Sequence, residues 1–131
     1  MSWIDQSLFL SVLLITGAWN GGSAEIFNPV DRASCKLPDL PEPRYTHTSN
    51  NGILCGGATD STKSNCIKFS EGNWITSHNL GQGRRSHTSW EHDKGESFML
   101  MGGYYSLKTT EIVHIKTGKV VDGYELHYDT A

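Results

Sequence analysis

Short apolar segments that end in glycine recur along this chain at a regular spacing, and this repetition constrains the fold more than any other feature. Gly56-Gly57 and Gly102-Gly103 each follow such a segment, and Thr16-Gly17 follows residues 12–15 in the same way. An interval of 40 residues relates three further pairs in the register of Gly17 and Gly57, namely Leu40 and Leu80, Arg44 and Arg84, and His47 and His87. A second interval, of 46 residues, relates Gly57 to Gly103, Gly72 to Gly118 and Leu80 to Leu126.

Repeats of this length predict a propeller or a solenoid, because each unit is one small element that needs its neighbours to bury its faces. In the best-preserved unit, β-branched and aromatic residues form short runs between turn residues, which predicts four strands at 45–49, 52–55, 66–69 and 73–77. No segment has a sustained helical period. We therefore expect an all-β chain in which one unit forms one four-stranded sheet.

Composition limits the size of the fold and the kinds of partner. The 131 residues suffice for one domain, and 37% hydrophobic with 19% charged residues is typical of a globular protein. The formal net charge is −3, and lysine and arginine are scattered along the chain. Nucleic acid and anionic membranes are therefore not expected as partners.

The N-terminal segment, residues 1–11, has two interpretations. The apolar run at 8–15, followed by small residues, has the length of a signal-peptide core, but Asp5 is acidic and no lysine or arginine precedes the run. The run is also too short to span a bilayer. A buried strand is the other interpretation, and the repeat favours it.

The repeated unit resembles the kelch repeat of β-propellers. The resemblance rests on the apolar strand ending in diglycine, a later strand such as residues 109–113, the glycine turn before Trp74, and the two Arg-x-x-His sequences. It extends from about Val12 to Tyr128, although Val120 stands near the position of Trp74 in the third unit. The positions of Cys35, Cys55 and Cys66 are similar to those of cysteine-containing kelch-like proteins that are predicted to be secreted.

The resemblance implies about three four-stranded blades of an incomplete β-propeller, at 12–42, 43–82 and 83–126, with a further blade beginning at 127–131. Propellers have four to eight blades. We therefore expect a fragment of a longer chain, or an oligomer that closes the ring. Gly56, Gly57, Gly102 and Gly103 are expected to allow close approach of neighbouring strands, and Trp74 is expected to lie between blades.

The cysteines leave open a disulfide and its alternative. Cys55 and Cys66 lie at the ends of predicted strands that should be neighbours, so a cross-strand disulfide is possible in an oxidising compartment. With that disulfide, Cys35 would be free or paired outside this segment. Three reduced thiols in a cytosolic protein are the alternative. An extracellular protein is expected, with a cytoplasmic one as the alternative.

The sequence contains no recognisable catalytic or metal-binding pattern. Cysteine and histidine spacings differ from those of structural zinc sites, and nucleophile and phosphate-loop motifs are absent, so we expect no enzyme activity, metal or cofactor. The resemblance instead places ligand contacts on loops at 58–63, 77–85 and 104–108, with the candidate residues Arg44, Arg84, Tyr104 and Tyr105. The predicted function is binding of a protein or peptide. The alternative is a segment of a galactose-oxidase-like or carbohydrate-binding extracellular propeller.

Overall fold

A computed structural model of the chain describes residues 13–18, 21–104 and 108–128. The N-terminal segment 1–11 and the candidate Tyr105 lie outside these residues.

The described residues form β-strands and no helix, in three antiparallel sheets that follow one another along the chain. The first sheet contains β1 (Leu13–Ala18), β2 (Gly21–Phe27) and β3 (Ser34–Leu37). The second contains β4 (Thr48–Asn50), β5 (Ile53–Cys55), β6 (Asn65–Ser70) and β7 (Asn73–Asn79). The third contains β8 (Thr88–Asp93), β9 (Ser97–Met101), β10 (Thr110–His114) and β11 (Val120–Asp122). The all-β prediction is confirmed. The first sheet has three described strands, and the sheets of the described residues do not close into a ring.

Two-residue turns close two of the three hairpins of the second sheet. Asn51-Gly52 joins β4 to β5 and Glu71-Gly72 joins β6 to β7, and all four residues have positive φ, between 50° and 86°. Two consecutive positive φ values match the natural twist of paired strands. The prediction of a first strand at 45–49 was wrong at its start, because Thr46 has a φ of 56°, which breaks the extended backbone before β4.

Apolar clusters fill both junctions between neighbouring sheets. The cluster between the first and second sheets comprises Ala24, Ile26, Leu37, Leu40, Leu54 and Ile67. The cluster between the second and third comprises Ile53, Cys55, Cys66, Leu80, Phe98, Leu100 and Val113. Alternate residues of a strand point to opposite faces. Leu54 therefore faces one neighbour and Ile53 and Cys55 face the other, so all of β5 is buried.

Covalent and aromatic contacts reinforce the second sheet. Cys55 and Cys66 are directly opposite each other on β5 and β6 and form a disulfide, with Cα atoms 4.1 Å apart. Trp74 contacts Phe69 edge-on and donates from Nε1 to the carbonyl of Pro38, 2.8 Å away, just after the first sheet ends. Trp74 thus joins the second sheet to the first.

Among the described residues, none forms a helix that is long and apolar enough to cross a bilayer.

Candidate functional site

The two Arg-x-x-His sequences form equivalent loops immediately before the second and third sheets. Each loop follows a buried leucine whose backbone N–H bonds to the preceding sheet: Leu40 donates to Gly22 at 2.6 Å and Leu80 donates to Ser64 at 2.7 Å. Each loop therefore starts on one sheet and leads into the next. Side chains in these loops are placed to connect neighbouring sheets.

Arg84 is completely buried, and protein acceptors surround its guanidinium group. Nη1 donates to the carbonyls of Gly102 (2.9 Å) and Thr109 (3.0 Å), and Nη2 donates to Thr109 Oγ1 (2.9 Å). Nε donates to Glu111 Oε2 at 2.8 Å, and Oε1 of the same carboxylate accepts the N–H of Gly81 at 2.6 Å. Charge and hydrogen bonds are both matched, as a buried ion pair requires.

Arg44 repeats these contacts in the second sheet without a carboxylate. Nη1 donates to the carbonyls of Gly56 (3.0 Å) and Asn65 (3.4 Å), and Nη2 donates to Asn65 Oδ1 (3.1 Å). Nε is buried and has no hydrogen-bond partner among the described residues. Ile67, opposite Leu54, takes the register position that Glu111 holds opposite Leu100. The second site therefore keeps the cation and lacks its buried counter-charge.

A backbone donor is missing at the same place. Pro41 occupies the position that Gly81 occupies in the next unit, and proline has no N–H that would need the carboxylate. The second unit thus lacks both the acceptor and the donor. Arg44 alone remains, and its burial lowers its pKa, while the carboxylate of Glu42 acts in the opposite direction.

This placement corrects the expected role of the two arginines. Arg44 and Arg84 lie inside the protein rather than on the loop face, and their donors bind carbonyls at the end of one strand and the start of the next. We call each group of arginine and acceptors a clasp: the Arg44 clasp in the second sheet and the Arg84 clasp in the third. The clasps hold the sheet ends together.

The two repeated histidines connect neighbouring sheets. His47 Nε2 is 3.0 Å from Thr16 Oγ1 in the first sheet, and His87 Nε2 is 2.8 Å from Thr48 Oγ1 in the second. The Nδ1 atom of each ring is buried without a hydrogen-bond partner among the described residues. Burial, aided by the nearby Arg84 and His47, lowers the pKa of His87 to about 4, and burial beside Arg44 lowers the pKa of His47. Both rings are therefore neutral at pH 7.

The diglycines lie where these loops leave no room for a side chain. A Cβ on Gly56 would overlap the carbonyl oxygen of Arg84 and lie 2.8 Å from His87 Cε1, and a Cβ on Gly103 would lie 2.7 Å from the carbonyl oxygen of Arg85. Gly17 meets the next unit's loop as Gly56 does, at 2.6 Å from His47 Cε1. By these contacts Gly17 corresponds to Gly56, one residue away from the register that the sequence predicts.

Residues of the same loops form a strip in which Thr46, Ser86 and Tyr104 are exposed and Tyr45 and Arg85 are half-buried. We call it the loop strip: Tyr45, Thr46, Arg85, Ser86 and Tyr104. Ser86 N–H donates to the carbonyl of Thr46 at 3.0 Å, Tyr104 N–H donates to the carbonyl of Arg85 at 2.9 Å, and Tyr45 exchanges two backbone bonds with Ala58. The guanidinium carbon of Arg85 lies 4.7 Å from the centre of the Tyr104 ring, which is 49% exposed.

The sequence analysis named Tyr104 as a candidate and included Arg85 in the loop 77–85, but it did not single out Arg85 or the three other members of the strip. Arg44 and Arg84 point inward, which leaves the residue directly after each of them, Tyr45 or Arg85, at the strip; the sequence alone does not show this direction. Thr46 and Ser86 occupy equivalent positions and both have positive φ, 56° and 54°. Such backbone strain in residues other than glycine is often found at functional sites.

Other ligand chemistry has less support from the structure. Within residues 13–18, 21–104 and 108–128 no group of histidine, cysteine, aspartate and glutamate side chains is arranged to hold a metal ion. An open groove of about 520 Å³ borders the Arg84 clasp and is lined by Gln82, Thr109, Asp122 and Glu125, among others. The groove is acidic, in contrast to the loop strip.

Comparisons with known proteins do not assign the chain to a family. No protein-family model matches it, and no curated protein matches it.

Proposed function

We propose that this chain is a kelch-type interaction module that binds a peptide segment of another protein at the loop strip. Three features support the kelch assignment: the antiparallel strand order of the sheets, their stacking in chain order, and the diglycines lying against the Arg-x-x-His loops. We propose that the three sheets are successive blades, and that the module acts by binding rather than by catalysis.

The observation that carries this proposal is the stacked pair of Arg85 and Tyr104, whose backbones are joined by a hydrogen bond. Arginine and tyrosine are among the residues that contribute most to protein interfaces. Here backbone hydrogen bonds between loops of two sheets fix both residues before any partner arrives. Binding then loses little conformational entropy, which favours affinity.

The chemistry of the strip favours an acidic peptide. Arg85 supplies a positive charge, and the planar guanidinium group suits carboxylates. Buried partners hold Arg44 and Arg84, so these two arginines position the strip and do not contact the ligand. The ring of Tyr104 adds contact area for the apolar part of the peptide.

A disulfide suggests where the module acts. Disulfides persist in oxidising compartments and are rare in the cytosol. The bond between Cys55 and Cys66 therefore supports an extracellular protein.

Selection from a random peptide library tests the proposal. We expect the wild-type chain to enrich peptides that contain aspartate or glutamate. Arg85→Ala and Tyr104→Ala should each weaken binding of a selected peptide by about tenfold or more, measured by fluorescence anisotropy. Tyr124→Ala is the matched control, because Tyr124 is also exposed but lies outside the loop strip.

Two outcomes would contradict the proposal. One is a selection that yields no acidic peptides. The other is a selected peptide that binds the wild type and the Arg85→Ala and Tyr104→Ala variants equally well.

A further inference from the structure

The guanidinium group of Arg44 lacks both a hydrogen-bond acceptor and a counter-charge. Its Nε atom has no acceptor among the described residues, although the residue is only 2% exposed. A buried polar atom without a partner is uncommon in folded proteins. The charge needs a partner as well, because arginine stays protonated in proteins and a buried, uncompensated cation destabilises the fold.

The Arg84 clasp shows which group takes this place when the chain supplies it. There the equivalent Nε donates to Glu111 Oε2 at 2.8 Å, and the other oxygen of that carboxylate accepts the N–H of Gly81. Nη1 and Nη2 of Arg44 and Arg84 bind equivalent acceptors in the two clasps. The Nε atom of Arg44 is therefore directed to the position that a carboxylate occupies in the third sheet.

Uncharged residues border that position in the second sheet. Ile67 takes the register of Glu111, and Pro41 takes the place of Gly81. Neither side chain can accept a hydrogen bond or carry a charge. Pro41 is exposed, so this side of the Arg44 clasp lies near solvent.

Glu42 is the nearby carboxylate, but it is engaged elsewhere. Its charge acts on Arg44 from a distance, while the carboxylate itself forms an ion pair with Lys63 and its side chain is 57% exposed. No carboxylate of residues 13–18, 21–104 and 108–128 lies within the ion-pair distance of 4.0 Å from Arg44. Arg44 and Lys63 are both cations and Glu42 is one anion, so one positive charge of this group remains without a partner.

We infer that the Arg44 clasp binds a small monovalent anion, a halide such as chloride, at the position equivalent to the carboxylate of Glu111. The anion accepts the hydrogen bond of Arg44 Nε and supplies the missing charge. A water molecule in this place would satisfy the N–H but not the charge. Neither Pro41 nor the side chain of Ile67 has a donor for a second oxygen, which favours a halide over sulfate or phosphate. The site goes beyond the proposed function and uses no residue of the loop strip.

Crystals soaked in sodium bromide test the site directly, because bromide replaces chloride and is located by its anomalous scattering. We expect an anomalous peak within hydrogen-bond distance of Arg44 Nε. The Arg84 clasp is the internal control, since Glu111 already occupies the corresponding position and no peak is expected there.

Thermal unfolding in solution measures the same binding. When sodium chloride replaces sodium gluconate at constant ionic strength, the melting temperature of the wild type should rise by about 3 °C at about 150 mM chloride. Arg44→Met should abolish the rise. Ile67→Glu should abolish it too, because its carboxylate takes the place of the anion. Arg32→Met changes an exposed arginine between β2 and β3 and should keep the rise.

Three results would overturn the inference. They are a wild-type melting temperature that does not depend on chloride, an equal rise in Arg44→Met, and bromide that is found only at surface positions away from Arg44, as an adventitious ion only. Circular dichroism checks that each variant folds. Should Ile67→Glu fail to fold, Arg44→Met and the position of bromide still decide.

Discussion

The second and third sheets build the same clasp from different chemistry. In the third sheet a carboxylate, Glu111, neutralises the buried Arg84 and accepts the backbone N–H of Gly81. In the second sheet Ile67 replaces the carboxylate and Pro41 removes the donor, which leaves Arg44 buried without a counter-charge. The two sequence differences therefore go together: Ile67 removes the acceptor that Glu111 provides, and Pro41 removes the N–H that would need this acceptor.

The second sheet has a covalent bond where the third has none. Cys55 and Cys66 are opposite each other at the register of Met101 and Thr110 in the third sheet. A disulfide there restrains the strand ends that Arg44 holds less well. Two neighbouring units can thus keep one geometry while one uses an ion pair and the other uses a disulfide.

The largest effect is expected from removing the carboxylate of the third sheet. Glu111→Leu leaves the Arg84 guanidinium group buried without a counter-charge, which should lower the free energy of unfolding by about 3–5 kcal/mol. Urea denaturation measures this. Ile67→Leu, at the matching position of the second sheet, is the control and should change stability by less than about 1.5 kcal/mol. Similar losses in the two variants would show that the ion pair has no special weight.

The next largest effect is expected from acid, which should lower the free energy of unfolding by weakening the junction between the second and third sheets. His87 has a pKa of about 4 in the folded protein and one near 6.5 when unfolded, so the unfolded chain binds the proton first as the pH falls. His87 therefore stabilises the folded protein fully only above its unfolded pKa of about 6.5. As the pH falls to the folded pKa of about 4, this stabilisation is lost, which amounts to about 3 kcal/mol between pH 7 and pH 4. The lowered pKa of His47 adds in the same direction.

Denaturation at several pH values tests this effect. In His87→Gln the free energy of unfolding should change less with pH than in the wild type. His127→Gln changes an exposed histidine and should keep the wild-type dependence on pH. An unchanged pH profile in His87→Gln would rule out this histidine as the source.

Loss of the disulfide should act on the second sheet. The bond joins residues 11 apart, and its removal in a Cys55→Ala and Cys66→Ala double variant should cost about 2–3 kcal/mol. Hydrogen exchange should become faster in β5 and β6, with a smaller change in β9 and β10. Equal acceleration in both sheets would contradict a local role for the bond.

The smallest effect is expected at the clasp that lacks a counter-charge. Arg44→Met gives up hydrogen bonds to Gly56 and Asn65 but also removes a buried, incompletely paired cation. The two effects oppose each other, so we expect a loss of about 1 kcal/mol in urea denaturation. Arg84→Met, the matched variant, should lose several times more. If Arg44→Met lost more unfolding free energy than Arg84→Met, the expected difference between the two clasps would be contradicted.

Local chemistry made the strands of the second sheet predictable. Asn51-Gly52 and Glu71-Gly72 dictate tight turns, and the apolar runs between turns became β5 and β6. The register of the first sheet was harder to predict, because the single glycine at Gly17 fits either position of a diglycine. Its contacts with His47 and with the carbonyl of Arg44 show that it takes the position of Gly56.

The arginine clasps were not predictable in the same way. A period of 40 residues shows that Arg44 and Arg84 share an environment, but it does not show whether that environment is inside or outside. Glu111 offered a signal, because a carboxylate next to Ile112 and Val113 in a predicted strand needs a cation from elsewhere in the chain if it is buried. Arg85 had no comparable signal, since its exposure depends on the inward direction of its neighbour.

Two matched double-mutant cycles test most directly the claim that the clasps differ by a buried counter-charge. One cycle combines Arg84→Met with Glu111→Leu, and the other combines Arg44→Met with Ile67→Leu. Unfolding free energies should give a coupling of about 2 kcal/mol or more in the third sheet and one within about 0.5 kcal/mol of zero in the second. Equal couplings in the two sheets would contradict the account.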